Sequence, residues 1–236
     1  MRFKALVRAL VRPIRVRIRS GPAAGMRFSL ASRTRFLRGS YERKMAEFVA
    51  SQIRPGDVFW DVGAHFGYYT LVAASAGARV HAFEPDPDNR AFLMRHVRWN
   101  SLDATVHECA LGDADGTGQF GGGRGSGGRS LGGGTQPTVV RSMQSLVESG
   151  TCERPDFLKI DVQGGEENVL MGASEVLRDA PVILACATHG REIHKRCKER
   201  LRELGYEVRS SAERNVILAF GKGRKVPDVD AADLDM

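Results

Sequence analysis

The hydrophobic positions between residues 57 and 84 predict a strand, a glycine loop, a helix and a second strand. The segment Val58–Val62 is apolar at all positions but one, which is typical of a strand buried on both faces. A loop over residues 63–67 follows, and the next apolar stretch ends at Gly77, as a helix closed by glycine would. The second buried strand is Arg79–Phe83. The order of these elements predicts two parallel strands joined by a helix.

The remaining apolar runs extend this unit into a larger sheet. Buried strands and a closing hairpin are predicted at residues 105–110, 157–160, 182–185, 206–208 and 216–220. Helices are predicted at residues 42–53, from a cap at Asp86 to Trp99, and at residues 192–204. A further hairpin is predicted at residues 15–30, with its turn at Gly21–Pro22. Alternating strands and helices indicate an α/β fold, with a mostly parallel seven-stranded sheet and a C-terminal antiparallel hairpin.

Composition divides the chain into three regions. Residues 1–54 form a basic N-terminal extension, residues 55–220 the Rossmann-like domain, and residues 221–236 an acidic tail that we expect to be disordered. Of the chain's net charge of +7, residues 1–44 contribute a balance of +12 and the rest a balance of −5. Within the domain, residues 121–137 are glycine-rich, and we expect a mobile loop or substrate lid there.

The basic N-terminus has helical periodicity. Apolar residues recur at residues 3, 6, 7, 10, 11 and 14, with arginines and a lysine between them. Such a helix packs on its own domain, lies on an anionic membrane through residues 1–19, or contacts nucleic acid. The Gly-Arg tract has only Arg124 and Arg129 and no aromatic repeat, so it gives weak support for RNA binding. We expect packing on the domain, and we consider a nucleic-acid partner unlikely.

The cysteines and the hydropathy exclude several classes of protein. Cys109, Cys152, Cys186 and Cys197 show no C-x-x-C spacing, so we predict reduced thiols and neither a zinc site nor a disulfide framework. We expect no secretory signal, because arginines and a lysine interrupt the first fifteen residues, and no apolar run approaches the about 20 residues of a membrane span. The expected location is the cytoplasm, with peripheral membrane contact at most.

Two acids at strand ends indicate a nucleoside-binding site. Asp61 lies near the end of the first strand, and Glu84 directly follows the second, where a carboxylate can accept hydrogen bonds from both ribose hydroxyls. A dinucleotide requires G-x-G-x-x-G, whereas this loop is G-x-x-x-G with bulky His65 and Phe66 inside it. S-adenosylmethionine has no phosphate and needs polar groups for an amino acid tail. The loop therefore favours S-adenosylmethionine over NAD.

Four segments extend the match beyond this loop: DVGAHFGYYTL at residues 61–71, AFEPDPDN at 82–89, ALGD at 110–113 and DFLKIDVQGGEENVLMGA at 156–173. In this order they resemble the FkbM-type family of S-adenosylmethionine-dependent methyltransferases, from about Ser20 to about Phe220. The chain departs from the usual family pattern at Gln163, where glutamate is usual, at Gly165, where alanine is usual, and at His65, where asparagine is common.

The resemblance and the strand-end rule together imply a cofactor site and an acceptor. Open α/β sheets bind ligands beyond the carboxyl ends of their strands. The predicted cofactor-binding residues are Asp61, Gly63, Ala64, His65, Gly67, Tyr68, Thr70, Glu84, Pro85, Ala110, Leu111 and Asp161. The family implies O-methylation of a hydroxyl on a sugar, a glycan or a small metabolite. The alternatives are an RNA methyltransferase or a non-catalytic RNA-binding protein.

Removing the acceptor's proton calls for a base. Asp161 and Glu166 are the first candidates because both lie in the most diagnostic segment, and His189 is the next. His65 is assigned to shaping the cofactor loop, and Gln163 has no ionisable group. Asp161 and Glu166 can also be imagined as metal ligands, but no further ligand pattern supports this, so we predict no metal.

Overall fold

The computed structural model describes residues 11, 13–32, 34–122, 129–210 and 215–225. Its strands are β1 Arg15–Arg17, β2 Arg27–Ser29, β3 Val58–Val62, β4 Arg79–Phe83, β5 Ala104–His107, β6 Cys109–Leu111, β7 Gly116–Gly121, β8 Ser130–Leu131, β9 Gln136–Arg141, β10 Phe157–Ile160, β11 Ile183–Ala187, β12 Glu207–Ser210 and β13 Val216–Phe220. Its helices are α1 Thr34–Arg38, α2 Arg43–Gln52, α3 Tyr68–Ser75, α4 Pro87–Asn100, α5 Met143–Glu148, α6 Glu166–Met171, α7 Ser174–Leu177 and α8 Arg191–Glu203.

The central sheet has seven strands in the order β12-β13-β11-β10-β3-β4-β5. All neighbouring strands are parallel except β13, which runs antiparallel to both β11 and β12. The chain winds outward from β3 in both directions, first through β4 and β5 and later through β10 and β11. The predicted fold class is confirmed, and the strand order reverses between β3 and β10, where such sheets bind ligands.

Alternating side chains of these strands form two hydrophobic faces. On one face, Phe59 of β3 and Phe157 of β10 stack at 5.3 Å and pack with residues of α2, α3 and α4. On the other face, Trp60 and Leu158 pack with residues of α5 to α8. Both faces are covered, which explains why the strands read as continuous apolar runs rather than as alternating ones.

The N-terminal hairpin and helix are confirmed. Strands β1 and β2 pair antiparallel, and the turn closes with a hydrogen bond from Ala24 N to Gly21 O. Helix α2 contributes buried side chains to the first hydrophobic face. The basic amphipathic helix predicted before the hairpin falls mainly on residues 1–10 and 12, which lie outside the described residues.

A second sheet, which the sequence did not predict, lies beside the central one. The segment predicted as one strand at residues 105–110 is divided at Glu108, so that β5 belongs to the central sheet and β6 to a four-stranded sheet of order β6-β9-β7-β8. Strand β8 and flanks of the glycine-rich segment belong to this sheet, so the mobile loop predicted at residues 121–137 is wrong for these parts. Residues 123–128 lie outside the described residues.

The remaining local predictions hold with small shifts. Asp86 caps α4 by accepting hydrogen bonds from Asp88 N and Asn89 N, and Pro87 occupies the first helical position. The tail boundary predicted at residue 221 is too early, because Gly221 N donates to Val182 O and Arg224 Nη2 lies 3.0 Å from Asp156 Oδ1. The end of the predicted tail, residues 226–236, is not described. The described helices include none that is both long enough and apolar enough to span a bilayer.

Candidate functional site

A cavity of about 460 Å³ opens at the carboxyl ends of β3 and β4, where the strand order reverses. Its size is ordinary for a small-molecule or cofactor site. Nine of the twelve predicted cofactor-binding residues line it: Gly63, Ala64, His65, Tyr68, Glu84, Pro85, Ala110, Leu111 and Asp161. We refer to this space as the large cavity.

The glycine loop begins with a close approach between two strand ends. Gly63 has φ +77°, and a Cβ added there would lie 2.0 Å from the carbonyl oxygen of Asp161, at the end of β10. Only glycine allows β3 and β10 to meet this closely while the chain turns into the loop. The loop therefore places Ala64 and His65 directly in the cavity wall.

Three predicted cofactor contacts, Asp61, Gly67 and Thr70, do not line the large cavity. Gly67 is the N-cap of α3 at φ 82°, where an added Cβ would lie 2.4 Å from Leu93 Cδ1. Asp61 is fully buried, and Thr70 Oγ1 donates to its Oδ2 at 2.7 Å. The sequence placed Asp61 correctly near the end of β3 but could not show that its side chain points into the protein, where Thr70 of α3 meets it. All three support the loop from the side that faces away from the large cavity.

Lys159 also supports the glycine loop, and it was not identified from the sequence. Its Nζ lies 3.1 Å from Asp61 Oδ1 and donates to Gly63 O at 2.9 Å. Burial lowers the pKa of Lys159, but the carboxylates of Asp61 and Asp161 outweigh burial, so that its pKa is raised above the ordinary value. A fixed positive charge thus lies beneath the glycine loop. The signal was present in the segment LKID, where a lysine interrupts an otherwise apolar strand.

Glu84 lies where a ribose-binding acid was predicted. The side chain is buried, its Oε2 accepts from His65 N at 2.7 Å, and its Oε1 accepts from Asp86 N at 2.9 Å. Burial raises the pKa of Glu84 to about 7, although the two backbone hydrogen bonds partly oppose this. The carboxyl is thus fixed in position by the loop and by the start of α4, and its pKa is raised into the neutral range.

The raised pKa of Glu84 predicts a pH-dependent affinity for an adenosine ligand. A carboxylate accepts from two ribose hydroxyls better than a protonated carboxyl does, so the affinity for S-adenosylhomocysteine should rise from about pH 6 to about pH 8 as Glu84 ionises. Calorimetric titration across this range measures the effect. The Glu84→Gln variant cannot titrate and serves as the control; an equal slope in both proteins would show that another group is responsible.

Two further walls of the large cavity come from outside the central sheet. Phe36 and Tyr41 of the N-terminal region form one wall, and Phe120, Arg129 and Leu131 of the second sheet form another. Arg129 is held there by an ion pair with Asp86. No residue of the first wall was assigned to the site from the sequence, whereas Arg129 and Leu131 of the second wall lie in residues 121–137, for which a substrate lid was one of the two expectations.

A smaller cavity of about 260 Å³ adjoins the large one. Its lining includes Glu42 and Met45 near the start of α2, Thr188 and His189 after β11, and Val216 at the start of β13. Five residues line both cavities: Tyr41, Tyr69, Lys159, Asp161 and Gln163. The two spaces therefore meet at the end of β10.

The three predicted catalytic residues belong to one hydrogen-bonded chain that starts at this junction and is linked by a fourth residue. Gln163 Nε2 donates to Asp161 Oδ1 at 3.0 Å and lies 2.8 Å from His189 Nε2. His189 Nδ1 in turn lies 2.8 Å from Glu166 Oε1. Gln163 adopts a left-handed backbone with φ 60°, which brings its amide between the two groups. Gln163 was excluded as a base from the sequence because its side chain cannot ionise, and the sequence did not predict that Gln163 bridges Asp161 and His189.

The expectation that Glu166 faces the crevice is wrong. Its side chain is fully buried, and its Oε1 also accepts from Gly164 N at 3.0 Å. As the first residue of α6, it folds back over the amides of the preceding turn, and this local bonding turns it away from both cavities. Of the three candidates, Asp161 lines both cavities, His189 lines the smaller one, and Glu166 lies behind His189.

The contact between Glu166 and His189 shifts the pKa values of both side chains. The hydrogen bond to Glu166 raises the pKa of His189 above its ordinary value of 6.5, with burial opposing it. Burial raises the pKa of Glu166, but the hydrogen bonds from His189 and Gly164 outweigh it and leave the pKa lowered. Glu166 is consequently an ionised partner that orients the imidazole and strengthens it as a base.

The fold is shared with solved methyltransferase structures of low sequence identity. Methyltransferase FkbM from Methylobacillus flagellatus KT superposes with a TM-score of 0.53 at 19% identity, covering 80% of this chain and 55% of that one. A precorrin-6y C5,15-methyltransferase from Geobacter metallireducens superposes with a TM-score of 0.52 at 14% identity, covering 76% and 89%.

Sequence comparison identifies the family. A hexuronic acid methyltransferase, AglP, from Haloferax volcanii is 30% identical over 176 residues, which is 70% of each chain. The 31-O-demethyl-FK506 methyltransferase FkbM of Streptomyces tacrolimicus is 40% identical over 67 residues, or 28% of this chain and 26% of that one. The sequence profile of the methyltransferase FkbM domain matches residues 61–208. With its cavity at the end of β3 and a sheet of methyltransferase topology, the chain belongs to the FkbM family of methyltransferases, which use S-adenosylmethionine.

Proposed function

We propose that the large cavity holds S-adenosylmethionine, with Glu84 on the ribose hydroxyls, Ala110 and Leu111 beside the adenine, and the Gly63–Gly67 loop around the methionine tail. The observation that supports this fit is a buried polar atom at the loop. The hydroxyl of Tyr68 has no hydrogen-bond partner within the described residues, and Tyr68 lines the cavity. A polar group of the ligand can supply that partner. A buried hydroxyl without any partner would be unfavourable, so its presence in the wall indicates a polar ligand.

We propose further that the smaller cavity holds the methyl acceptor, and that the acceptor is a hydroxyl of a sugar, glycan or other small metabolite. The junction of the two cavities at Asp161 is the observation that carries this assignment. A cavity of about 260 Å³ with Glu42, Thr188 and His189 in its wall suits a small polar molecule. The similarity to a hexuronic acid methyltransferase, covering 70% of each chain, supports a sugar acceptor.

The residues at the junction account for the chemistry of such a transfer. The cofactor supplies a methyl group already activated on a sulfonium, so the protein has to align the acceptor and remove its proton. His189 is the base in this proposal, because it lines the smaller cavity and its Nδ1 is held by Glu166. Its Nε2 lone pair, which here accepts from the Gln163 amide, takes the proton once the hydroxyl of the acceptor displaces that amide. Asp161 and Gln163 fix the imidazole from the cavity side, with Asp161 Oδ1 3.8 Å from His189 Nε2.

The proposal is tested by transfer of an isotopically labelled methyl group. The protein should be incubated with labelled S-adenosylmethionine and a panel of acceptors comprising uronic acids, neutral sugars, their glycosides and RNA. We expect label on a sugar hydroxyl, detected by mass spectrometry, and none on RNA. Label on RNA alone would favour the RNA methyltransferase alternative, which is supported by the basic residues 1–44 and weakly by the Gly-Arg tract.

The Gln163→Glu variant should change the pH dependence of the transfer more than its maximal rate. A carboxylate in place of the amide would lie beside Asp161 and His189, and it would stabilise the imidazolium. A base must be neutral to accept a proton, so the acid limb of the pH–rate profile should move to higher pH. The Gln52→Glu variant, on a partly exposed side chain of α2 that lines neither cavity, adds the same charge as a control. Superimposable profiles for the wild type and Gln163→Glu would place the base elsewhere.

A further inference from the structure

Three side chains with metal-binding atoms meet outside both cavities. The Nδ1 atom of His81, the Nε2 atom of His107 and the Sγ atom of Cys152 all lie within 4.8 Å of one another. His81 Nδ1 is 3.0 Å from His107 Nε2, and Cys152 Sγ is 3.6 Å from the same nitrogen. None of the three residues lines the large or the smaller cavity.

The fold brings these residues together from three elements. His81 is in the middle of β4, His107 is the last residue of β5 and pairs with Phe83, and Cys152 lies in the turn after α5. His81 and Cys152 are buried, whereas His107 is half-buried and gives access from solvent. The stacking of His107 on Phe83, with ring centroids 4.6 Å apart, fixes its ring.

The spacing matches the ligand shell of zinc. In tetrahedral zinc sites, bonds of about 2.0–2.1 Å to nitrogen and about 2.3 Å to sulfur place ligand atoms about 3.3–3.6 Å apart. The two separations from His107 Nε2, 3.0 Å and 3.6 Å, require little movement to reach these values, and the third pair lies within 4.8 Å. Two imidazoles and a thiolate leave one tetrahedral position for water.

A carboxylate behind the cluster is an independent sign of a metal site. Glu153 Oε2 lies 2.8 Å from His81 Nε2, the ring nitrogen that faces away from the cluster. Glu153 is itself held by Arg79, whose Nε lies 3.5 Å from Glu153 Oε1. Metal-binding histidines commonly donate their second N–H to a carboxylate, which directs the lone pair of the other nitrogen toward the metal. The Cys152 thiolate and the Glu153 carboxylate would together neutralise the charge of Zn²⁺.

We propose that His81, His107 and Cys152 bind one Zn²⁺ ion, with Glu153 as the partner that orients His81. Binding releases the thiol proton of Cys152 to solvent, and the proton between the two imidazoles moves from His107 Nε2 to His107 Nδ1. The thiolate and the two freed nitrogen lone pairs then form the bonds to zinc. The ion ties the turn after α5 to β4 and β5. Because Phe83 and Cys109 contact the large cavity from this side, the site stabilises the cavity's wall without touching its contents.

The test is metal titration of the full chain after treatment with a chelator. Zinc binding is measured by calorimetry, and cobalt is used as a spectroscopic substitute. We expect one equivalent of either metal, a thiolate-to-cobalt charge-transfer band, and the visible bands of tetrahedral cobalt. Zinc should also raise the midpoint of thermal unfolding of the wild type, because the ion binds the folded chain.

Two variants and a matched control make the result specific. Glu153→Gln, on an exposed side chain that should not prevent folding, should weaken zinc binding by about 10–100-fold, the usual effect of losing a carboxylate behind a histidine ligand. Cys152→Ala should weaken it more and abolish the charge-transfer band, whereas Cys197→Ala, which removes another buried thiol, should do neither. A wild type without the band, or equal zinc affinity in the wild type and Glu153→Gln, would reduce the cluster to a hydrogen-bonded histidine pair and overturn the proposal.

Discussion

Replacing His189 with asparagine should lower the turnover number on the true acceptor by about 10²–10⁴-fold, the usual contribution of a general base. The asparagine amide can still donate to Glu166 Oε1, as Nδ1 does now, but it provides no basic atom in place of Nε2. Binding of S-adenosylhomocysteine should stay close to that of the wild type, since His189 does not line the large cavity. Steady-state kinetics and calorimetry measure the two effects.

The control and the pH profile separate a base from a structural residue. His194→Asn changes another histidine, one that lies near Thr188, and should leave turnover nearly unchanged. Because Glu166 raises the pKa of His189, the wild-type acid limb should lie above the ordinary histidine value of 6.5, and Glu166→Gln should move it to lower pH. If His189→Asn keeps wild-type turnover while Asp161→Asn loses it, Asp161 is the base.

The second large effect is expected at the glycine loop. Gly63→Ala should destabilise the fold by more than about 4 kcal/mol, which is at the severe end for single substitutions. The new Cβ would meet Asp161 O at 2.0 Å and Asp161 C at 2.9 Å, and neither backbone atom can move without shifting β10. The free energy of unfolding in urea measures the cost, and loss of cofactor binding should accompany it.

Gly56 offers a matched comparison. It also has a positive φ, +92°, but an added Cβ there would have no neighbour within 4 Å. Gly56→Ala should therefore lower the free energy of unfolding by only about 1–2 kcal/mol, the cost of an alanine in the left-handed region. Equal destabilisation by the two substitutions would show that backbone conformation, and not the approach of β3 to β10, explains the glycine at residue 63.

The sequence predicted the central sheet well because buried parallel strands have a strong local signal. Strands β3 and β4 were predicted with the bounds that the structure shows, and the cap at Asp86 follows from side-chain chemistry confined to one turn. The second sheet escaped prediction for the opposite reason. Strand β7, GTGQFG, is glycine-rich and mostly exposed, and its pairing with β9 depends on contacts between distant segments.

The candidate site shows the same limit at the level of side chains. The residues of the glycine loop and Glu84 could be placed because their positions follow from where strands end. The inward orientation of Asp61, the burial of Glu166 and the position of Gln163 between Asp161 and His189 depend on tertiary packing, which spacing does not reveal. The cluster of His81, His107 and Cys152 likewise has no motif, because its members are 26 and 45 residues apart.

The central claim is that the two adjoining cavities have separate tasks, one holding the cofactor and the other the acceptor. Calorimetric titration with S-adenosylhomocysteine, and with NAD for comparison, tests it most directly in the wild type, Glu84→Ala and His189→Asn. We expect tight binding of S-adenosylhomocysteine and much weaker binding of NAD, a loss of about 1.5–3 kcal/mol in Glu84→Ala, and no loss in His189→Asn. Equal binding of NAD, unchanged affinity in Glu84→Ala, or an equal loss in both variants would contradict the account.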